Sequence, residues 1–409
     1  MFNDPLVSII IPVFNGTNYM REAIDSALNQ TYKNCEVLVI NDGSNDNDAT
    51  EKVALSYGDR IKYYKKENGG VATAVNFGID HMNGEYFAWL SHDDMFYPDK
   101  IENQMTAIKR SGNPYAICHG NFDSLEMETR KKTSINLLDI YTKEQLQDGC
   151  FAPIFLAIHG STVLFHRDHF DRVGKYRTDL KATQDSEFLF RVMRGQKSVF
   201  VEKPLIIGRL HPEQGQKTMA CHRVEYNEMF KFFCEELSDE EKCEMCGSVA
   251  NFYYRLFELL DSSKPADTII GYLKEKIDQY YDVDADTLSA RKKMIDDYLN
   301  SIIPKDLEIY LFGGGYYGKV MARKLNNYGL TPNAIIDNDR KKHGNLIEGI
   351  LCCGLEDIKM SVDKMLVIIA VSGDVKDIRN QLEAFGVKHI LTYREMDQAL
   401  FKILPPRCR

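Results

Sequence analysis

An alternation along the first half of this chain restricts its fold more than any other feature. Short apolar runs take turns with amphipathic stretches, and acidic residues stand where the runs stop. Val7–Val13 (VSIIIPV), Glu36–Asp42 (EVLVIND), Ile61–Lys66 (IKYYKK) and Tyr86–Leu90 (YFAWL) have the length and composition of strands. Met20–Leu28 and Val71–Met82 carry apolar residues at helical spacing between them. A further helix is expected to open at Pro98, a residue suited to a first turn. Strands alternating with helices form a mostly parallel sheet covered on both faces. Ligands of such sheets bind at the carboxyl ends of the strands. Asn41-Asp42 and His92-Asp93-Asp94 fall at such ends.

The pattern changes after about residue 220. From His222 to Ile303 only helical periodicity is present, as in Val249, Phe252, Tyr253, Leu256, Phe257 and Leu260, then Ile269, Ile270, Leu273, Ile277 and Tyr281. Pro304 closes that stretch, and Glu308–Gly315 (EIYLFGGG) begins a second strand–helix pattern. A chain of 409 residues has room for two or three domains. The expected division is an α/β domain at 1–220, a helical region at 221–303 and a small Rossmann-like domain at 304–409.

Charge and cysteine usage narrow the function. The net charge is −9, and residues 305–409 hold 16 basic against 13 acidic side chains, which leaves −12 on the first 304. An acidic chain does not suit general nucleic-acid binding, which needs a basic face to displace counterions. Ten cysteines without framework spacing are expected as reduced thiols in a cytosol. The N-terminus lacks the features of a signal peptide, and no apolar run reaches the ~18–20 residues of a bilayer span. The expected location is cytoplasmic, with at most peripheral contact at the inner face of a membrane.

Three features of the first region carry chemistry. Asp42 stands at a strand end before Gly43-Ser44, Gly69-Gly70 opens a helix, and Asp93-Asp94 follows the fourth strand. A helix start behind glycines offers N–H groups to a phosphate. Adjacent carboxylates at a strand end can hold Mg²⁺ or Mn²⁺, which bridges diphosphate oxygens. Asp and Gly also make plain turns after strands. Three such features in one α/β unit favour the chemical reading.

The segments VSIIIPVFNG, NDGSND, ENGGVATAVNFGI and WLSHDDMFYPDKIENQ resemble the successive motifs of the inverting glycosyltransferases of family 2, which have the GT-A fold. TQDSEFLFRVMRG and RLHPEQGQ resemble the later motifs of that family, so the resemblance covers about Pro5 to Lys217. It implies that Pro12, Phe14, Asn15 and Asp42 hold the nucleobase and ribose of a nucleotide sugar. It places Asn68, Gly69 and Gly70 near the nucleotide. The family's DxD-type motif reads Ser91-His92-Asp93 here, followed by Asp94, with Asp93 as metal ligand. Asp185 is implied as catalytic base, and His211 as a second metal ligand for Mn²⁺ or Mg²⁺. His159 and Gly160 fall where the family builds its acceptor wall. Ser91, Gln184 and Val75 stand where the family carries Asp, Glu and, in many members, Arg. The implied activity is transfer of a hexosyl group, with inversion, from a nucleoside diphosphate sugar, UDP-linked by expectation. The implied acceptor is a hydroxyl of a glycan or lipid-linked glycan in surface polysaccharide or glycoconjugate synthesis.

The C-terminal region has its own signal. Gly313-x-Gly315-x-x-Gly318 lies between an expected strand and an expected helix at Tyr317–Tyr328, and Asp337 follows Gly318 by 19 residues. This fits the mononucleotide-binding fingerprint, including the acid for a ribose hydroxyl. These four residues form a candidate second nucleotide site, with a structural or assembly role as the other reading. Two alternatives to the transferase therefore remain open: a nucleotide-sugar oxidoreductase, and a catalytically weak sugar-nucleotide-binding scaffold. Cys243-x-x-Cys246 has no second pair and suits helix packing better than zinc. Aromatic residues such as Phe230, Phe232, Phe233, Phe252 and Tyr253 are expected mainly in the core, with some left for a homodimer face.

Overall fold

The computed structural model describes residues 4–214, 219–261, 266–289, 307–327, 330–358, 362–371, 375–393 and 395–396. The expected roles of Pro304 and of residues 215–217, 290–303 and 328 lie outside this set, as does the side chain of Tyr281. The chain forms two compact units, Met1–Leu237 and Ser238–Arg409.

The first unit runs β1 (Val7–Val13), α1 (Met20–Leu28), β2 (Cys35–Asp42), α2 (Ala49–Leu55), β3 (Lys62–Lys66), α3 (Val71–His81), β4 (Tyr86–Trp89), β5 (Met95–Phe96), α4 (Lys100–Ser111), β6 (Ile117–Gly120), β7 (Phe122–Glu126), β8 (Lys132–Ile135), α5 (Lys143–Gln147), α6 (Phe151–Ile154), β9 (Leu164–His166), α7 (His169–Val173), α8 (Gln184–Met193), β10 (Ser198–Val201), β11 (Ile206–Leu210) and α9 (His222–Glu236). Its main sheet has the order β10-β6-β9-β4-β1-β2-β3, and only β9 runs against its neighbours. A second sheet has the order β5-β11-β7-β8.

Burial on both faces explains why β1 is apolar throughout. Every residue of Val7–Val13 is buried, as a central parallel strand requires. Successive side chains point to opposite faces. Val7, Ile9, Ile11 and Val13 join the core beneath α1 and α4, with Ile24, Ile101 and Ile108. Ile10 faces the other core, with Leu38, Ala74, Val75, Phe188 and Val192 of β2, α3 and α8. Helix α4 begins at Lys100 rather than at Pro98. The Pro98 carbonyl instead accepts from the Thr31 amide at 2.8 Å, so that residue belongs to the connection before the helix.

The second unit contains α10 (Asp239–Cys246), α11 (Val249–Leu260), α12 (Asp267–Ser289), β12 (Glu308–Phe312), α13 (Tyr316–Asn327), β13 (Ala334–Ile336), β14 (Leu346–Ile347), β15 (Ile350–Cys353), β16 (Met365–Ile369), α14 (Lys376–Phe385) and β17 (His389–Thr392). Its sheet has the order β14-β15-β13-β12-β16-β17, parallel except at β14–β15. Ser238 starts α10 with a reciprocal cap to Glu241. The expected stripe of α11 is buried at Phe252, Tyr253, Leu256, Phe257 and Leu260. Among the described residues no helix is long and apolar enough to cross a membrane.

Candidate functional site

The carboxyl ends of β1, β2 and β4 bring the polar residues of the first unit together. At the end of β2, Asp42 is 3% exposed and its carboxylate accepts from the amides of Gly69 (3.1 Å) and Gly70 (2.7 Å). The Lys66 ammonium pairs with it at 2.5 Å. The two amides expected to be open to a phosphate are thus donated to Asp42. These amides precede the first turn of α3, and the carboxylate at the end of β2 satisfies them in place of a ligand. Asn68 donates its side-chain amide to the Asp42 carbonyl at 2.8 Å. Asn15, in a left-handed conformation (φ 49°), exchanges hydrogen bonds with Asn45. Phe14 beside it is 42% exposed, while Pro12 lies buried in the β1–β2 ladder. Gly16 allows a close approach, since a Cβ there would stand 2.8 Å from the His92 ring. Burial lowers the affinity of that imidazole for a proton.

A second cluster follows β4. Asp93 Oδ2 and His211 Nε2 are 3.0 Å apart. Asp94 is 4% exposed and turned inward, where it accepts from the Arg209 amide (3.0 Å) and the Ser161 hydroxyl (3.3 Å). Burial and the adjacent Asp93 raise its pKa. Arg209 is itself buried, donates to the Asp93 carbonyl at 2.6 Å, pairs with Glu22 and lies 4.9 Å from the Tyr19 ring centroid. It fixes the backbone under Asp93. The motif RLHPEQGQ contained Arg209, but its role depends on α1 and β11 meeting in space.

The third cluster opens α8. Asp185 Oδ1 accepts from the Ser186 amide at 2.8 Å, and Oδ2 lies 3.8 Å from where a Cβ on Gly160 would stand. Burial raises its pKa, which favours a carboxylate able to accept a proton. His159 Nε2 lies 3.8 Å from Asp94, and burial lowers the affinity of its imidazole for a proton. The His159-Gly160 turn therefore borders both the second cluster, through Asp94, and the third, through Asp185. Gln184 is 6% exposed and its Oε1 has no hydrogen-bond partner among the described residues. Two residues not singled out from the sequence border this region. Glu225 of α9 accepts from the amides of Lys181, Ala182 and Thr183, and Lys181 reaches the Gly69 carbonyl at 3.2 Å.

The residues present fit a divalent cation of the expected kind. A carboxylate oxygen and an imidazole nitrogen suit Mn²⁺. Asp93 Oδ2 and His211 Nε2 lie at hydrogen-bond distance of each other, 3.0 Å, so both donors face one point. Among the described residues no group of three or more His, Cys, Asp or Glu could hold a metal. Asp93 and His211 alone would leave most of the coordination to substrate oxygens and water, as is usual for Mg²⁺ at phosphates.

In the second unit the glycine turn has the form that the spacing implies. Gly313 adopts φ +113°, and a Cβ on Gly318 would overlap the Gly313 carbonyl oxygen, so α13 packs directly on β12. Gly315 borders a cavity of about 410 Å³ together with Gly313, Asp337 and Lys342. Asp337 accepts from the Gly314 amide (2.6 Å) and Lys342 (2.8 Å). Its carboxylate is engaged within the turn rather than held out for a ribose.

The sequence profile of Glycosyl transferase family 2 matches residues 8–174. A glycosyltransferase of Rickettsia typhi is 42% identical over 248 residues, covering 61% of this chain and 77% of that protein. One of Haemophilus influenzae is 32% identical over 242 residues, covering 56% and 72%. The chain belongs to glycosyltransferase family 2. A longer family member from Rickettsia bellii is 42% identical over 259 residues, 63% of this chain but 38% of that protein. The chain spans about two fifths of the length of the first curated relatives it matches. S. aureus TarS 1–349 in complex with UDP-GlcNAc is 14% identical, with a TM-score of 0.52 over 79% of this chain and 89% of that one. That likeness is one of fold, and the first unit is a mixed α/β domain of the GT-A type. The Ser91 amide approaches the Ser161 hydroxyl at 3.5 Å.

Proposed function

We propose that this chain transfers a sugar, with inversion, from a nucleoside diphosphate sugar to an acceptor hydroxyl. The observation that carries the reading is the place of the His159-Gly160 turn between the two clusters. His159 Nε2 lies 3.8 Å from Asp94, beside the candidate metal ligand Asp93, and a Cβ on Gly160 would stand 3.8 Å from Oδ2 of Asp185, the candidate base. A single displacement needs base and leaving-group site on one face of the fold in this way. The UDP-GlcNAc bound by TarS, a protein of like fold, supports a UDP-linked donor.

In the proposed reaction the acceptor oxygen attacks the anomeric carbon as the bond from that carbon to the diphosphate oxygen breaks. The acceptor proton passes to Asp185, and the diphosphate leaves with the bonding electron pair. A cation held by Asp93 and His211 would supply charge neutralisation for the diphosphate. Arg209 and Glu22 hold the backbone beneath Asp93. Phe14, Asn15 and the Asp42–Asn68 turn form the nucleoside end. The acceptor is proposed as a glycan or lipid-linked glycan. For the second unit, the turn at Gly313, Gly315 and Gly318 is proposed as a separate nucleotide site. The engagement of Asp337 weighs against a ribose contact from that residue.

The test is release of nucleoside diphosphate from a panel of nucleotide sugars with Mn²⁺. Asp185→Asn is expected to lower transfer by about 10²–10⁴-fold, the contribution of a positioned base. Asp93→Ala is expected to abolish release and Mn²⁺ dependence together. Full release in both variants overturns the reading. Reduction of a nicotinamide cofactor without release selects the oxidoreductase instead, and binding without turnover selects the scaffold.

A further inference from the structure

Helix α8 carries Asp185, which accepts from the Ser186 amide within it, while Thr183 before it makes no capping bond as acceptor. The turn that leads into this helix is held from another helix. Glu225 of α9 accepts from the Lys181 amide (3.0 Å), the Ala182 amide (2.8 Å), the Thr183 amide (3.2 Å) and the Thr183 hydroxyl (3.3 Å). Three consecutive amides on one carboxylate leave the turn little freedom. Burial alone would raise the pKa of Glu225, but the amides of Ala182, Lys181 and Thr183 outweigh it and hold the group ionised. The same turn sends the Lys181 side chain across to α3, where its ammonium donates to the Gly69 carbonyl at 3.2 Å. That ammonium lies 3.8 Å from where a Cβ on Gly70 would stand.

We propose that Glu225 is a positioning residue, which sets Asp185 at the acceptor end of the site and the Lys181 cation at the anionic donor end. The inference rests on the transferase reading above. On the ligand side, Lys181 meets a phosphate oxygen of the donor.

The experiment uses the full chain and a nucleotide sugar that it turns over. Loss of release in Asp93→Ala and Asp185→Asn is established first, so that failure of the transferase reading is seen separately. Glu225→Ala is then expected to lower kcat by about 10- to 100-fold, the usual cost of misplacing a reacting group. The donor KM is expected to rise in the same variant. Lys181→Ala is expected to raise donor KM by about two- to fivefold, as for an exposed charge contact. In the double variant the two effects on donor KM are expected to fall short of their product, because both remove one device. Glu225→Gln keeps one acceptor oxygen and is expected to fall between wild type and Glu225→Ala. Kinetic constants are referred to the folded fraction measured by calorimetry, since a purely structural residue would change that fraction alone. Wild-type constants in Glu225→Gln, or independent effects in the double variant, overturn the proposal. If Glu225→Ala does not fold, Glu225→Gln decides, and loss of fold in both overturns it by making Glu225 a folding residue.

Discussion

At the scale of single residues, Asp42 illustrates how one side chain serves two ends. Its place after β2 was legible from the sequence, as a turn acid or a nucleotide contact. Its bonds to Gly69, Gly70 and Lys66 were not, because they join residues 24 to 28 positions apart. Hydrogen bonds to a charged group contribute about 1.5–3 kcal/mol each, so Asp42 ties α3 to β2 whatever it binds. Lys100 is a quieter case. It is fully buried in α4, donates to Gln104 at 2.7 Å and lies 4.3 Å from the Phe96 ring centroid. Burial pushes its pKa down to about 7. The neighbouring Cys35 and Cys118 thiols are pushed up to about 12 and stay neutral below that. The unfolded chain holds a proton on this lysine up to about pH 10.4. Between about pH 7 and 8 the unfolded state therefore binds the extra proton, and the contribution of Lys100 to stability rises with pH; above about 8.5 the thiols ionise in the unfolded chain only, which opposes it. The urea midpoint is expected to rise more between pH 7 and 8 in the wild type than in Lys100→Met. Lys100→Met is expected to be at least as stable as wild type at pH 7. A midpoint that falls with pH in both would contradict this account.

At the scale of elements, the periodicities carried most of the information. The seven apolar residues of β1 mark a strand buried on both faces, and the alternation of its side chains between two cores follows from the pleat. The helix starts were less legible. The turns that lead into the two helices bounding the site, α3 and α8, are held by carboxylates from other elements, Asp42 and Glu225 respectively. Neither Gly70 nor Thr183 makes a side-chain capping bond of its own. Sequence rules look for partners within a few residues, so such long-range braces escape them. Gly318 in α13 is the opposite case, a local requirement read directly from spacing. Gly318→Ala is expected to cost about 1–3 kcal/mol or more, because the added Cβ overlaps the Gly313 carbonyl. Thermal denaturation of the second unit in the full chain measures it, and an unchanged midpoint would mean that β12 and α13 separate without cost.

At the scale of the whole molecule, the two units have separate buried clusters among the described residues. Ile10, Leu38 and Phe188 belong to one, and Tyr310, Ile336 and Val367 to another. Calorimetry is expected to resolve two transitions, with Gly318→Ala lowering only one. UDP with Mn²⁺ is expected to raise the transition of the first unit, by about 2.7 kcal/mol of stability at a hundredfold excess over Kd. A rise in the second transition as well would reveal nucleotide binding at the Gly313–Gly318 turn. No rise in the first would count against the site at Asp42 and Asp93. The sequence by itself determined the alternating α/β order, the strand ends that carry Asp42 and Asp93, and the glycine turn at Gly313. These depend on the period of the backbone and on turn chemistry, which act within a few residues. The tertiary structure decided that the Gly69 and Gly70 amides serve Asp42, that Arg209 braces Asp93, and that Glu225 holds the turn before Asp185. Each of those contacts joins elements far apart in the chain. Which donor meets which acceptor there is settled by packing, because a buried polar group takes the partner that the fold brings within reach.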